Sequence, residues 1–284
     1  PYPRKYFDLI GFVLYFIQIQ RLIKKHKPDL LLTFTIIPNI VACWLRKIYP
    51  FKLICNVSGF GRIYSEKDFK SNLLMRIYKK SLCLADFVFV QNKKDYLILA
   101  SSKIKQLEIL PGSGVSLSKL YSEYFPISRI TILFIGRILE GKGVEYLIKI
   151  APQFPQYDFR FVGFPELSEE HLITKIEKIT NSYPHIAYIP GTKDPFSEII
   201  NANVVCLPSL YGEGTPRSLI EGLAAGKIII TTNVAGASDC VDNNVNGFLL
   251  NINNIEYELK LALERLATFT DSNHRIAYEH SKKL

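Results

Sequence analysis

Gly212-Glu213-Gly214-Thr215-Pro216-Arg217-Ser218-Leu219-Ile220-Glu221-Gly222-Leu223-Ala224-Ala225-Gly226 decides how this chain is read. It starts as a glycine-bounded loop and turns into a helix. Thr215 suits the N-cap, and Pro216 suits the first helical position, where a missing N–H removes no helical hydrogen bond. A helix that opens in this way directs free N–H groups and its positive dipole end outward, which favours an anion. Two carboxylates flank the opening. Glu213 lies in the loop, whereas Glu221 lies in the helix among Ile220, Leu223, Ala224 and Ala225. Such small, apolar company points to a carboxylate with a task beyond solubility.

Outward from this stretch, short apolar runs alternate with helical patterns. A strand at Val204–Leu207 leads into it and another at Ile228–Thr232 follows it. Upstream, Ile130–Ile135 reads as a strand ending at Gly136-Arg137, and Gly141-Lys142-Gly143 precedes a helix over 144–151. Phe159–Val162 is a strand into Gly163, followed by a helix at 167–180, a strand at 185–189 and a helix at 195–201. Downstream come a short helix start at 236–241, a strand at 247–250 and a helix at 253–268. The first part of the chain reads likewise, with helices at 6–25, 38–48, 70–84 and 93–100. Its strands are expected at 28–35, 51–57, 86–90 and 107–110. This alternation predicts an α/β fold of parallel strands with crossover helices, whose ligand loops lie beyond the carboxyl ends of the strands. Loops 58–62, 91–92 and 111–115 fit that rule in the first part. Residues 116–128 carry no period, and the domain boundary is placed there, between 126 and 127.

Hydrophobic residues make up 48% of the 284, enough for packed cores and too many for a disordered chain. The apolar run Leu9–Ile17 is too short to span a bilayer, and no signal peptide is evident. The five cysteines form no CxxC pair. Cys55 and Cys206 sit in apolar runs and read as buried, reduced thiols of a cytoplasmic protein. The net charge of +9 fits nucleic acid, an anionic membrane or a phosphorylated ligand. No nucleic-acid motif accompanies the basic residues, so no nucleic-acid partner is expected. Residues 67–80 mix Lys67, Lys70, Arg76, Lys79 and Lys80 with Phe69, Leu73, Leu74 and Ile77. That composition fits either a face resting on anionic lipid or a solvated helix packed on its own sheet.

Three features of the second part belong to one sheet edge: Arg137, Lys142 and the Glu213/Glu221 helix start. Arg and Lys there would hold a diphosphate, the first through a forked contact and the second as a point charge. Backbone N–H groups along 214–217 would add donors, and Glu221 could accept from a ribose diol. Glu221 could instead pair only with Arg217, four residues earlier, in the less favourable order. The Gly-Lys-Gly triplet is no Walker P-loop. His171 and His185 read as surface or packing residues.

The spacing Glu213-x7-Glu221 within GEGTPRSLIEGLAAGK resembles the E-x7-E motif of family 4 glycosyltransferases of the GT-B fold. Gly136-Arg137 and Gly141-Lys142-Gly143 match that family's diphosphate-binding arginine and lysine, and Asn246-Gly247-Phe248-Leu249 resembles its downstream strand. In the first part, Asn56-Val-Ser-Gly-Phe-Gly61, Gln91-Asn92 and Leu110-Pro-Gly-Ser-Gly-Val115 look like bacterial members that build polysaccharide on a lipid carrier.

The resemblance implies two Rossmann-like parallel-sheet domains facing a cleft. Residues 1–126 would form an incomplete acceptor-side domain and 127–284 the nucleotide-sugar-binding domain. The family's first strand and its final crossing helix are missing, so the chain reads as truncated at both ends. Arg137 and Lys142 would neutralise the leaving nucleoside diphosphate, and Glu221 would hold the ribose. Glu213 would lie near the donor sugar, with Gly214, Thr215 and Pro216 beside sugar and phosphate. Catalysis would retain configuration, use no metal or other cofactor, and rest mainly on leaving-group stabilisation by Arg137 and Lys142, with Glu213, near the donor sugar, the third catalytic residue. The donor is expected to be a UDP-linked hexose or N-acetylhexosamine, and the acceptor a polyprenyl-diphosphate-linked glycan. The enzyme would be cytoplasmic, in peripheral contact with an anionic membrane. The loop Ser58, Gly59, Gly61 would face acceptor or donor sugar, although Ser58 stands where many members carry His. Two other readings fit the residues: a non-catalytic nucleotide-sugar-binding remnant, and a basic nucleic-acid-binding protein.

Overall fold

The computed structural model describes residues 9–61, 68–110, 112, 114–120, 129–268 and 271–281. Arg62 and Lys67, Pro111 and Ser113, and the expected break at 126/127 lie outside the described residues. The chain divides into two compact units, Pro1–Pro111 and Gly112–Leu284.

In the first unit, strands β1 (Leu30–Phe34), β2 (Lys52–Val57), β3 (Phe87–Val90) and β4 (Leu107–Ile109) form a parallel sheet in sequential order. Helix α1 (Leu9–His26) precedes β1, and helices α2 (Ile36–Leu45), α3 (Phe69–Leu82) and α4 (Lys93–Ala100) make the crossovers. Two helix starts are capped by short polar side chains. Asp68 accepts from the Ser71 N–H at 2.8 Å, and Asn92 accepts from the Asp95 N–H at 2.8 Å. The core gathers Leu53, Cys55 and Val57 of β2, Val88 and Val90 of β3, and Ile40, Val41 and Leu45 of α2. Asp86 ties the start of this sheet together. Burial pushes its carboxyl up, but the Leu53 N–H at 2.9 Å and the Arg46 guanidinium at 3.1 Å outweigh that and hold it below the ordinary carboxylate range.

The second unit has six parallel strands: β5 (Thr131–Ile135), β6 (Asp158–Val162), β7 (Ile186–Ile189), β8 (Val204–Leu207), β9 (Ile228–Thr232) and β10 (Gly247–Leu250). Their order is β10-β9-β8-β5-β6-β7. The chain therefore runs outward from β5 through β6 to β7, returns to β8 on the other side of β5, and continues to β10. The strand order reverses at β5, and at such a switch point the rule for open α/β sheets places the ligand crevice beyond the carboxyl ends of β5 and β8. Strands β8 and β9 are buried throughout, as a sheet covered on both faces requires. The helices are α5 (Val144–Ile150), α6 (Glu170–Ser182), α7 (Pro195–Ile200), α8 (Arg217–Ala224), α9 (Ile255–Leu266) and α10 (Asp271–Ser281).

Two expectations are corrected. The helix expected over 167–180 is a 3-10 turn at Leu167–Glu169 and then α6. Helix α10 was absent from the sequence reading, because its low hydropathy masks the contacts that dock it. The Tyr278 ring lies against Gly226, and the Ser281 hydroxyl donates to the Lys227 carbonyl at 3.0 Å. Cys43, Cys55, Cys206 and Cys240 are buried free thiols. Burial pushes the Cys206 thiol well above its ordinary range and that of Cys240 up to about 12. Among the described residues, no helix is long and apolar enough to cross a membrane.

Candidate functional site

The crevice at the carboxyl edge of β5 and β8 is framed by two loops that lock into each other. After β5, residues Glu140–Lys142 make one 3-10 turn that ends at Gly143. Gly143 has φ 70°, and a Cβ there would overlap the Pro208 carbonyl oxygen just beyond β8. Only glycine meets both demands. The Leu210 N–H donates to the Gly141 carbonyl at 2.9 Å, and the Tyr211 ring fills the place of a Gly141 side chain. The two glycines around Lys142 thus fasten the β5 loop onto the β8 loop.

Lys142 is delivered by this arrangement to Glu213. The ammonium pairs with Glu213 Oε2, and the Ser209 hydroxyl donates to Glu213 Oε1 at 2.7 Å. Both ionic side chains are largely enclosed, at 13% and 18% exposure. An enclosed pair of this kind has given up much of its hydration, so Lys142 itself has little further solvation to lose when a polyanion replaces the carboxylate. Ser209 is itself held by Thr232 of β9, whose hydroxyl donates to its carbonyl. Sequence reasoning did not find Ser209; a lone Ser after a strand gives no signal until the loop folds back.

Helix α8 begins one residue later than expected. Pro216 is the cap, with φ −63° and ψ 120°, and no side chain caps the helix. A cap residue is non-helical and needs no N–H, so proline fits there, and Thr215 moves into the loop. Thr215 Cβ stands 3.3 Å from the place of a Gly112 Cβ. The Gly214 carbonyl lies where a Gly236 side chain would be, so the β8 and β9 loops touch. The helix ends in a pair of reversed hydrogen bonds, Lys227 N–H to Gly222 O and Gly226 N–H to Leu223 O, both 2.8 Å. Gly222 lets it lie close on β8 and β9, 2.9 Å from Val205 Cγ2 to the place of a Cβ. Glu221 is 6% exposed, as its neighbours suggested. Its Oε1 accepts from Arg217 Nε at 2.8 Å, so the ion pair weighed against a ligand role is present.

Arg137 is not joined to these groups by any bond among the described residues. It pairs with Glu166 on the β6 loop, and both are exposed. The structure therefore brings Lys142 to Glu213 and Arg217 to Glu221, and turns Arg137, at the start of the same β5 loop, to Glu166 on the β6 loop. Glu140, Glu169 and His171 cluster nearby, with His171 Nε2 3.1 Å from Glu140. His185 packs with Nε2 3.1 Å from the Ala151 carbonyl oxygen.

The loop Ser58, Gly59, Gly61 belongs to the first unit and follows β2. The Ser58 hydroxyl donates to Asn56 Oδ1 at 3.3 Å, and Gln91 Nε2 donates to the same oxygen at 3.4 Å. Asn39 Nδ2 donates to the Asn56 carbonyl at 3.0 Å and to the Tyr78 hydroxyl at 2.7 Å. The carboxyl edge of that sheet is thus amide-rich and uncharged at these positions.

Comparison with known proteins accords with this architecture. Over 248 residues the chain is 25% identical to the N,N'-diacetylbacillosaminyl-diphospho-undecaprenol alpha-1,3-N-acetylgalactosaminyltransferase of Campylobacter jejuni, covering 79% of this chain and 64% of that one. Sucrose-phosphate synthase of Thermosynechococcus elongatus superposes with a TM-score of 0.80 at 21% identity, over 99% of this chain and 75% of that one. Anabaena Alr3699/HepE in complex with UDP and glucose gives 0.78 at 17% identity, over 99% and 80%. These likenesses are of fold, and the fold is GT-B. The chain spans between 37% and 64% of the length of four curated relatives it matches. The family described as "Glycosyl transferases group 1" matches residues 122–283, more than half of the chain and most of the second unit. The chain belongs to the group 1 glycosyl transferases.

Proposed function

We propose that this protein is a retaining glycosyltransferase that moves a hexose or N-acetylhexosamine from a UDP-linked donor to a polyprenyl-diphosphate-linked glycan, in bacterial surface polysaccharide synthesis. The observation that carries the reading is the enclosed Lys142–Glu213–Ser209 group at the crevice between β5 and β8. The donor diphosphate would take Lys142 from Glu213 and draw Arg137 away from Glu166 of the β6 loop. Glu221 would accept from the ribose hydroxyls, and Glu213, released, would face the donor sugar beside Gly214, Thr215 and Pro216. A UDP-linked donor is supported by the UDP complex of the Anabaena neighbour. A lipid-linked acceptor is supported by the Campylobacter relative.

In the reaction, the anomeric C–O bond to the diphosphate breaks and a new C–O bond forms from the acceptor hydroxyl on the same face. The acceptor proton passes to a leaving phosphate oxygen. Cationic groups on the diphosphate lower the barrier by stabilising the charge that develops there. This chemistry draws on no metal, on no further cofactor, and on no carboxylate base. The protein would work in the cytoplasm, peripheral on an anionic membrane, with no nucleic-acid partner.

The test is incubation of the full-length protein with a panel of nucleotide sugars and bacterial membrane extract, following donor consumption and product anomer by mass spectrometry and NMR. One UDP-sugar should be consumed with retention. The Glu221→Ala variant should lose about 10- to 100-fold in kcat/KM, the worth of a hydrogen bond to a charged group. A folded protein that consumes no sugar nucleotide would instead favour a binding remnant.

A further inference from the structure

We infer that Phe164 is the stacking platform for the nucleobase of the donor, an assignment that rests on the donor-site reading above. Phe164 follows β6 directly and is a large apolar side chain at 62% exposure on the carboxyl edge of the sheet. Single exposed apolar residues are ordinary on protein surfaces. Three observations set this one apart.

First, it stands beside the phosphate-binding arginine. The β5–β6 register pairs Ile135 with Val162, and an isolated bridge pairs Ile138 with Pro165. The same offset makes Arg137 and Phe164 opposite residues on adjacent segments, which lie about 4.8 Å apart in such a sheet. Second, the segment is fixed. The Ile138 N–H donates to the Phe164 carbonyl at 2.9 Å, and the Tyr188 hydroxyl donates to the Gly163 carbonyl at 3.1 Å. Third, the ring has a prepared seat. Gly191, just after β7, has φ 76°, and the Phe164 ring occupies the space that a Gly191 side chain would fill. The fold thus holds one part of an aromatic ring against bare backbone and leaves the remainder open to solvent.

A rigid, half-open aromatic next to a cation suits a ligand with a flat ring joined to a phosphate. A base stacks on it while the diphosphate reaches Arg137 and Lys142. Stacking of this kind tolerates any base, since every base has a π-face. Phe164 would therefore supply affinity for a nucleoside diphosphate over a bare diphosphate, and the choice among bases would come from other groups.

Calorimetric titration of the full chain with UDP, GDP, ADP and inorganic pyrophosphate tests this. The unmodified protein should bind at least one nucleoside diphosphate more tightly than pyrophosphate. Phe164→Ala should weaken that binding by about 5- to 100-fold and leave pyrophosphate binding unchanged. Phe164→Trp should keep the affinity, and the fluorescence of the introduced indole should be quenched by the nucleotide and not by pyrophosphate. Nucleotide binding that Phe164→Ala leaves within twofold of normal, or a loss shared equally by pyrophosphate, overturns the platform and spares the donor site. Failure of the unmodified protein to bind any of the four overturns both.

Discussion

Gly143 carries more of the site than any charged residue does, because it fixes where Lys142 can be. Its φ of 70° and its contact with the Pro208 carbonyl leave no room for a side chain. A left-handed non-glycine residue costs about 1–3 kcal/mol, and the overlap adds to that. Gly143→Ala should therefore lower the stability of the second unit by at least that amount, read from urea unfolding. A loss below about 0.5 kcal/mol, the range of neutral surface changes, would contradict the described packing. At this scale the sequence is only partly legible. The triplet Gly141-Lys142-Gly143 announced a cation between two glycines, but not what the glycines touch. Ser209, Tyr211 and Pro208 come from a loop almost seventy residues later, and no local pattern encodes that meeting. Glu221 was legible for the opposite reason: a carboxylate among small apolar residues is anomalous within its own helix.

Elements were more readable than contacts, because strand and helix periods are local. Val204–Leu207, Ile228–Thr232 and Lys93–Ala100 stand where the apolar runs and caps put them. Helix α10 was illegible because docking against Gly226 and Lys227, not its own pattern, holds it. Helix α3 shows what pattern alone leaves open. Leu74, Tyr78 and Leu82 are buried in the core of the first unit, while Lys70, Leu73, Arg76 and Lys80 are exposed and Phe69 stands 82% exposed. One face of this helix packs, and the other is basic with two exposed apolar residues, the composition on which a contact with anionic lipid would rest. Each basic residue near an anionic surface is worth about 1 kcal/mol. In vesicle sedimentation, the protein should bind phosphatidylglycerol membranes and not phosphatidylcholine. The triple change Lys70→Glu, Arg76→Glu, Lys80→Glu should weaken binding by at least about 100-fold. Equal binding to both lipids would remove the electrostatic argument.

Over the whole molecule the charge is partitioned by unit. Residues 1–111 hold 19 Lys and Arg against 7 Asp and Glu, net +12, and residues 112–284 hold 16 against 19, net −3. The basic balance that a sequence total of +9 spreads over the chain thus belongs to the first unit alone. The second unit is slightly acidic, so an anion must be bound there by placed groups and not by a general field. The strand order makes that placement possible, since β5 lies between β6 and β8 and sends its loop to the crevice. The account therefore depends most on Lys142. Calorimetry of UDP binding to the full chain with and without Lys142→Ala, at fixed salt, addresses it directly. A loss of about 10- to 100-fold, in a variant whose circular dichroism shows the native fold retained at the titration temperature, is the predicted result. Equal affinity in the two proteins would contradict the assignment of this crevice to the donor diphosphate.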